Sequence, residues 1–173
     1  CQRDSFLFKG FKTTIISSES TQIKCKAEAQ TVYQVEFEDT ILFPEGGGQP
    51  SDSGYLKVIE SSNGEDHIPI SYVSRSGLHA KHHIGTFIKP GTKVELTVDA
   101  PKRIDYMQQH TGQHLLSAIL EKRYNLETLS WSMGGVPTEK KHELEMNDYF
   151  NYIEIPKKLT KDEVDEISKI LNE

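Results

Sequence analysis

The spacing of apolar residues changes near residue 99, and this change limits the possible folds more than any other feature of the chain. Before it, apolar and polar residues alternate over residues 32–38, 54–60 and 93–99. A period of two predicts half-buried strands, and turn-forming residues separate these segments. We therefore expect residues 1–100 to fold as a small all-β barrel or sandwich.

Beyond residue 99, the apolar residues follow a helical period. Asp99 and Pro101 are typical of a helix start. From residue 103 to about residue 124, apolar positions recur at the spacing of one helix face. Thr160 and Glu163 have the spacing of a capping box, which predicts a last helix after residue 160.

Short strands are expected between these two helices. Residues 127–133 and 149–155 predict strands, and the polar residues 134–148 predict a loop. The predicted fold class is therefore α+β. We place a domain boundary near residue 100, with a β-barrel-like domain at 1–100 followed by an α+β domain at 101–173.

The composition narrows the functions that the chain can have. Its net charge of −6 argues against a protein that holds nucleic acid by bulk electrostatics, although a local basic patch remains compatible with this value. No run of about 18 apolar residues occurs, so no membrane span is predicted. The two cysteines, Cys1 and Cys25, do not form a disulfide framework, and we predict a cytoplasmic location.

Two histidines on the long predicted helix, His110 and His114, could hold a metal ion. Residues four apart lie on the same face of a helix, so both imidazoles can reach one zinc ion. The alternative is that both are core histidines with satisfied hydrogen bonds. His79 and His83 have the same spacing, but they lie in a segment predicted as strand or loop, where such residues do not converge.

The residue after His110 is Thr111, so the metalloprotease pattern H-E-x-x-H and its general-base glutamate are absent. This weakens a peptidase interpretation. It leaves open metal-dependent hydrolysis of an easier bond, such as an aminoacyl ester.

A glycine-rich segment, Gly46-Gly47-Gly48-Gln49, lies between two predicted strands. Consecutive glycines lose much backbone freedom on folding, so they indicate positive φ angles or a close approach to a ligand. Their peptide N–H groups could hold a phosphate or carbonyl oxygen. The alternative is a tight turn between barrel strands. No lysine follows the glycines, so this is not a P-loop.

Taken together and in this order, the two motifs resemble the alanyl-tRNA editing proteins, which are relatives of the editing domain of alanyl-tRNA synthetase. The resemblance covers most of the chain from about residue 35 to residue 133. The residues that carry it are the segment 45–50, Asp52, Gly54, Arg103 and the segment 107–116.

This resemblance implies a glycine-rich β-barrel domain followed by an α+β editing core. It implies a Zn²⁺ cofactor with His110 and His114 as two ligands, and a glycine-rich loop, from Gly46 through Gly47 and Gly48 to Gln49, near the substrate end of the tRNA. The implied activity is trans-editing, the hydrolysis of serine or glycine wrongly attached to alanine tRNA. No catalytic residue is assigned.

Further substrate-binding residues are expected close to the histidines. Within the histidine motif these are Thr111 and Gln113. The family places a polar side chain some sixteen to eighteen residues after the second histidine, where it recognises the hydroxyl of the wrong amino acid. Here this zone contains Ser130 and Trp131, although the register is open and Trp131 could equally be a core residue.

The sequence departs from the family at the expected C-x-x-x-H pattern, which supplies the remaining zinc ligands. No cysteine follows Cys25, and the only later histidine is His142. With no initial Met and a last helix that reaches the end of the sequence, we expect a fragment. The alternative function is a non-catalytic tRNA- or protein-binding module. A threonyl-tRNA editing domain is a nearer alternative, which the triple glycine disfavours.

Overall fold

Six antiparallel strands close into a barrel in the first part of the chain. The structure is a computed structural model that describes residues 4, 6–25, 28–59, 67–133 and 151–172. The strands are β1 (Phe11–Cys25), β2 (Glu28–Phe37), β3 (Gly54–Val58), β4 (His67–Ser76), β5 (His79–Ile84) and β6 (Lys93–Val98). Their order is β1-β2-β5-β4-β3-β6, and pairing of β6 with β1 closes the ring.

Every second side chain along a strand points into the barrel, and these side chains form its core. In β6, Val94, Leu96 and Val98 are buried, while the residues between them are more exposed. Successive side chains of a strand point to opposite faces, so one face of each strand supplies the core. The predicted barrel is confirmed, and the three alternating segments correspond to β2, β3 and β6.

Gly54 allows two of these strands to pack closely. A Cβ atom at this position would lie 2.1 Å from the carbonyl oxygen of Thr97 on the neighbouring strand β6. Real Cβ atoms do not approach a backbone oxygen to this distance, so only glycine fits here without a shift of the backbone. Gly54 is therefore a requirement of the barrel itself.

The chain divides into two compact units, Cys1–Ile104 and Asp105–Glu173. The long helix α1 (Ala100–Tyr124) begins in the first unit and continues into the second. The second unit also contains the short strands β7 (Ser130–Ser132) and β8 (Tyr152–Glu154) and the helix α2 (Lys161–Leu171). Its buried residues Leu120, Leu126 and Ile167 form a small core of their own.

Both predicted helices are present in the structure, and the two predicted strands between them are shorter than expected. The Thr160 side chain accepts a hydrogen bond from the Glu163 N–H, and the Glu163 carboxylate accepts one from the Thr160 N–H, so the capping box forms. Strands β7 and β8 pair over three residues each, and both are shorter than the sequence predicts. The predicted loop at 134–148 lies outside the described residues. Neither helix in the described part of the chain is long and apolar enough to cross a membrane.

Candidate functional site

His110 and His114 lie one turn apart on α1 and turn their imidazole rings toward each other. Their Nε2 atoms are 3.0 Å apart, and the ring centroids are 4.9 Å apart. Burial lowers the pKa of His110, and the neighbouring His114 lowers it further because two adjacent positive charges repel. His110 is therefore biased toward the neutral form, which is the form that binds metals.

Trp131 packs its indole ring against both histidines. The ring centroids are 4.8 Å apart for His110 and 6.0 Å apart for His114, both in edge-on arrangements. Strand β7 places the indole there, because Trp131 pairs with Ile153 of β8. The structure thus brings together His110, His114 and Trp131, and this group is called the histidine–tryptophan cluster below.

The geometry of the cluster fits part of a zinc site. Two nitrogen ligands of a tetrahedral zinc ion lie about 3.3 Å apart, which follows from Zn–N bonds of about 2.0–2.1 Å. The Nε2 separation in α1 is close to this value. Within the described residues, no group of three or more possible ligands occurs. Cys1, His142 and the side chain of Cys25 lie outside the described part.

Thr111 and Gln113 make local contacts on α1. The Thr111 hydroxyl donates to the Met107 carbonyl oxygen at 2.9 Å. The Gln113 Nε2 donates to the Ser117 Oγ at 2.7 Å, and the Thr128 hydroxyl donates to the same Oγ at 2.8 Å. The Gln113 Oε1 is buried and accepts no hydrogen bond from the described residues, so this acceptor is available to another donor.

Ser130 lies beside Trp131 at the start of β7. Its hydroxyl donates to the Glu154 carboxylate on β8 at 2.6 Å, and the Ser130 and Glu154 backbones are paired across the small sheet. A hydroxyl group has one proton and two acceptor lone pairs. Ser130 can therefore still accept a hydrogen bond from a ligand while it holds Glu154.

The glycine-rich segment forms a two-residue turn in the first unit. Gly46 and Gln49 exchange backbone hydrogen bonds at 3.1 and 3.2 Å, and Gly47 and Gly48 have φ angles of +61° and +77°. No heavy atom lies within 4 Å of a Cβ built on Gly47, so that glycine serves the backbone conformation and leaves open space around it. The Gln49 side chain is buried, with 7% of the residue exposed.

The histidines of β5 behave differently from those of α1. His79 is exposed and paired with Glu36, whereas His83 is buried on the same strand. A strand rises about 3.3 Å per residue, so side chains four residues apart do not converge on one ion. The prediction that His79 and His83 are no metal pair is consistent with this placement.

Comparison with known proteins gives the same family at high identity. No protein-family model matches the chain. It is 59% identical, over its full length, to a Saccharomyces cerevisiae protein provisionally named alanyl-tRNA editing protein alaX. It is 40% identical over 78% of its length to alanyl-tRNA editing protein Aarsd1 of Bos taurus, and 38% identical over 58% to AlaX-L of Pyrococcus horikoshii.

The chain belongs to the alanyl-tRNA editing protein family. It spans 38% of the length of the yeast relative and 29% of that of the bovine one. The resemblance predicted from the two motifs is therefore confirmed. The yeast and bovine relatives that carry this name are therefore more than twice as long as the present chain.

In this member of the alanyl-tRNA editing family, the structure gives a role to two residues that the sequence left without one. Asp52 and Arg103 form a buried ion pair, and Arg103 also donates to the Ile41 carbonyl oxygen at 2.7 Å. The Asp52 carboxylate accepts from the Phe43 N–H at 2.6 Å. This pair fixes both ends of the glycine-rich segment against the first turn of α1. Sequence spacing alone does not reveal it.

Proposed function

We propose that the protein hydrolyses serine or glycine from wrongly charged alanine tRNA in the cytoplasm, with zinc as cofactor. Two findings support the proposal. The relatives are named alanyl-tRNA editing proteins, which supports an editing role on the same class of substrate. The Nε2 atoms of His110 and His114 lie 3.0 Å apart, a separation suited to two ligands of one zinc ion. The second finding carries the assignment of the site.

The residues of the cluster and the neighbouring Ser130 would have different roles in the proposed hydrolysis. His110 and His114 would hold the zinc ion, which supplies Lewis-acid chemistry suited to polarising an ester carbonyl. Trp131 covers one side of both imidazoles and would keep bulk water from that side. The remaining acceptor capacity of Ser130 would recognise a hydroxyl or ammonium group of the wrong amino acid.

Rejection of correctly attached alanine follows from the same chemistry. Alanine differs from serine by the missing hydroxyl group. A site whose polar groups are satisfied only by that hydroxyl discriminates against its absence, because those groups would otherwise stay unpaired. On this basis Ser-tRNA(Ala) is hydrolysed and Ala-tRNA(Ala) is spared. The argument applies to serine alone, because glycine lacks the hydroxyl as alanine does.

Deacylation of Ser-tRNA(Ala) by the full-length gene product tests the proposal, with the 173-residue chain assayed beside it. H110A and H114A should each lower the rate by about a hundredfold or more, in line with loss of a metal ligand. H79A is the matched control, because it removes an exposed histidine from β5, and it should leave the rate unchanged. Equal rates for H110A, H79A and the unaltered protein would contradict the assignment.

Zinc binding can be followed separately from the reaction. In the 173-residue chain Trp131 is the only tryptophan, and its ring contacts both imidazoles, so the tryptophan fluorescence of this chain reports on the cluster. Titration with Zn²⁺ should change the emission of the unaltered protein and of H79A, but not of H110A. A signal that persists in H110A would place the metal elsewhere.

The alternative is a non-catalytic tRNA- or protein-binding module. One observation favours it: only two possible ligands of the site are found together among the described residues, and a catalytic zinc usually has three protein ligands. A C-x-x-x-H pattern further along the gene product would support the enzyme. Binding of tRNA without any release of serine, even with added zinc, would support the module.

A further inference from the structure

Arg75, on strand β4, lies against the glycine turn of the barrel. A Cβ built on Gly46 would be 3.6 Å from its Nε and 3.7 Å from its Cζ and Nη2. Three guanidinium atoms at nearly equal distance show that the guanidinium group lies beside the position that a Gly46 Cβ would occupy. These are ordinary van der Waals distances, so the guanidinium lies side by side with the turn.

No ion pair among the described residues neutralises the charge of Arg75. The side chain is exposed, and within the described residues no carboxylate forms an ion pair with it. The closest acid in sequence to the turn, Glu45, is engaged with Tyr72, whose hydroxyl donates to it. Burial, together with this hydrogen bond, raises the pKa of Tyr72 to about 12. Glu45 is thereby held on Tyr72.

The turn beside Arg75 is open to a ligand. Gly47 has no heavy atom within 4 Å of the position that a side chain would occupy. Within the described part of the chain, the peptide N–H groups of Gly47 and Gly48 form no recorded hydrogen bond, whereas those of Gly46 and Gln49 close the turn. A guanidinium and exposed peptide N–H groups are donors that suit phosphate oxygens.

We propose that Arg75 binds a backbone phosphate of the RNA substrate beside the Gly46–Gln49 turn. The inference rests on the proposed function, because it takes the substrate to be RNA. The 173 residues carry a net charge of −6 and do not attract RNA by their overall field, so their contribution to affinity would come from local cations such as Arg75. Guanidinium pairs with phosphate oxygens in a bidentate manner, and this fixes the position of the bound strand.

The inference is tested by RNA binding. The probe is a fluorescent, non-aminoacylated RNA hairpin with the alanine acceptor stem and a single-stranded 3′ end. Affinity of the full-length protein is measured by anisotropy over a range of KCl concentrations. R75Q should weaken binding about tenfold at low salt and reduce the slope of log affinity against log salt by about one, because one phosphate contact is lost. R75K should keep the slope and lose only part of the affinity.

R123Q is the matched control, since Arg123 is an exposed arginine in the last turn of α1 and its loss changes the net charge equally. It should keep the affinity and the salt slope of the unaltered protein. Equal binding by R75Q and R123Q would overturn the inference, while serine release by the unaltered protein would leave the proposed function standing. Failure of the unaltered protein both to bind this RNA and to release serine would overturn the two together.

Discussion

His82 is a histidine sealed inside the barrel in its neutral form. None of its surface is exposed; its Nδ1–H donates to the Val35 carbonyl oxygen at 3.1 Å, and its Nε2 accepts from the Thr40 hydroxyl at 2.9 Å. Burial lowers its pKa from the ordinary value of 6.5 to about 4, because a positive charge would be desolvated there. Burial also lowers the pKa of the neighbouring His83.

Acid should therefore destabilise the barrel in a defined window. Between pH 6.5 and about pH 4 the unfolded state binds a proton at residue 82 and the folded state does not, so stability falls as the pH falls. The slope is about 1.4 kcal/mol per pH unit for each such histidine. H82N keeps a donor for Val35 and removes the titration. Urea unfolding at several pH values should show a smaller slope for H82N, and an unchanged slope would contradict this account.

The Asp52–Arg103 pair makes a second prediction for single residues. Arg103 is 3% exposed and Asp52 is 1% exposed, so R103A would leave a carboxylate buried without its partner. Breaking a buried pair on one side costs about 3–5 kcal/mol. The free energy of unfolding of R103A should fall by about that amount, while that of the control R123A, at an exposed site, should stay close to the unaltered value. Equal stability of R103A and R123A would show that the pair contributes little.

At the scale of single elements, two glycines form a matched test of strand packing. G54A would place a methyl group 2.1 Å from the Thr97 oxygen, whereas G85A would meet no atom within 4 Å. G54A should therefore force β3 and β6 apart and lose at least the ~1–3 kcal/mol typical of overpacking. G85A should unfold at nearly the same urea concentration as the unaltered protein. A normal midpoint for G54A would mean that the two strands adjust without cost.

Elements with a regular apolar pattern could be predicted from sequence, whereas for strands with few apolar residues the sequence left the choice between strand and loop open. Strands β2, β3 and β6 alternate clearly, and α1 and α2 have helical spacing with a cap. Strand β5, His79–Ile84, contains few apolar residues, because His82 fills the core in place of an aliphatic side chain. Strand β4 contains Pro69, which normally argues against a strand paired on both sides.

In the candidate site, the local spacing of residues could be predicted from sequence, but contacts between distant segments could not. His110 and His114 could be found from sequence because they lie one turn apart on one helix. The contact of Trp131 with them depends on the pairing of β7 with β8, and the position of Arg75 beside Gly46 depends on the barrel. Both contacts are between segments far apart in the chain, and no local pattern encodes them.

At the scale of the whole chain, net charge limits how the proposed RNA substrate could bind. The net charge is −6 and the isoelectric point is about 5.7, so non-specific attraction to a polyanion is unfavourable at neutral pH. The 173-residue chain should pass through a heparin column at about 0.15 M salt, where a protein with a bulk basic surface would be retained. Retention that needs high salt for elution would contradict a purely local mode of binding.

Closure of the barrel also determines where this protein can pair with another chain. An open sheet edge offers unpaired N–H and C=O groups to any extended segment nearby, and this is a common route to fibrils and swapped dimers. In the barrel every strand has two neighbours. Among the described residues, free edges remain on the two-stranded β7–β8 sheet and on the part of the β1–β2 hairpin that pairs with neither β6 nor β5. Small two-stranded sheets are marginal alone. Self-association during heating or storage should therefore begin at these two edges, and the strand segments paired on both sides within the barrel should stay protected from hydrogen exchange longest.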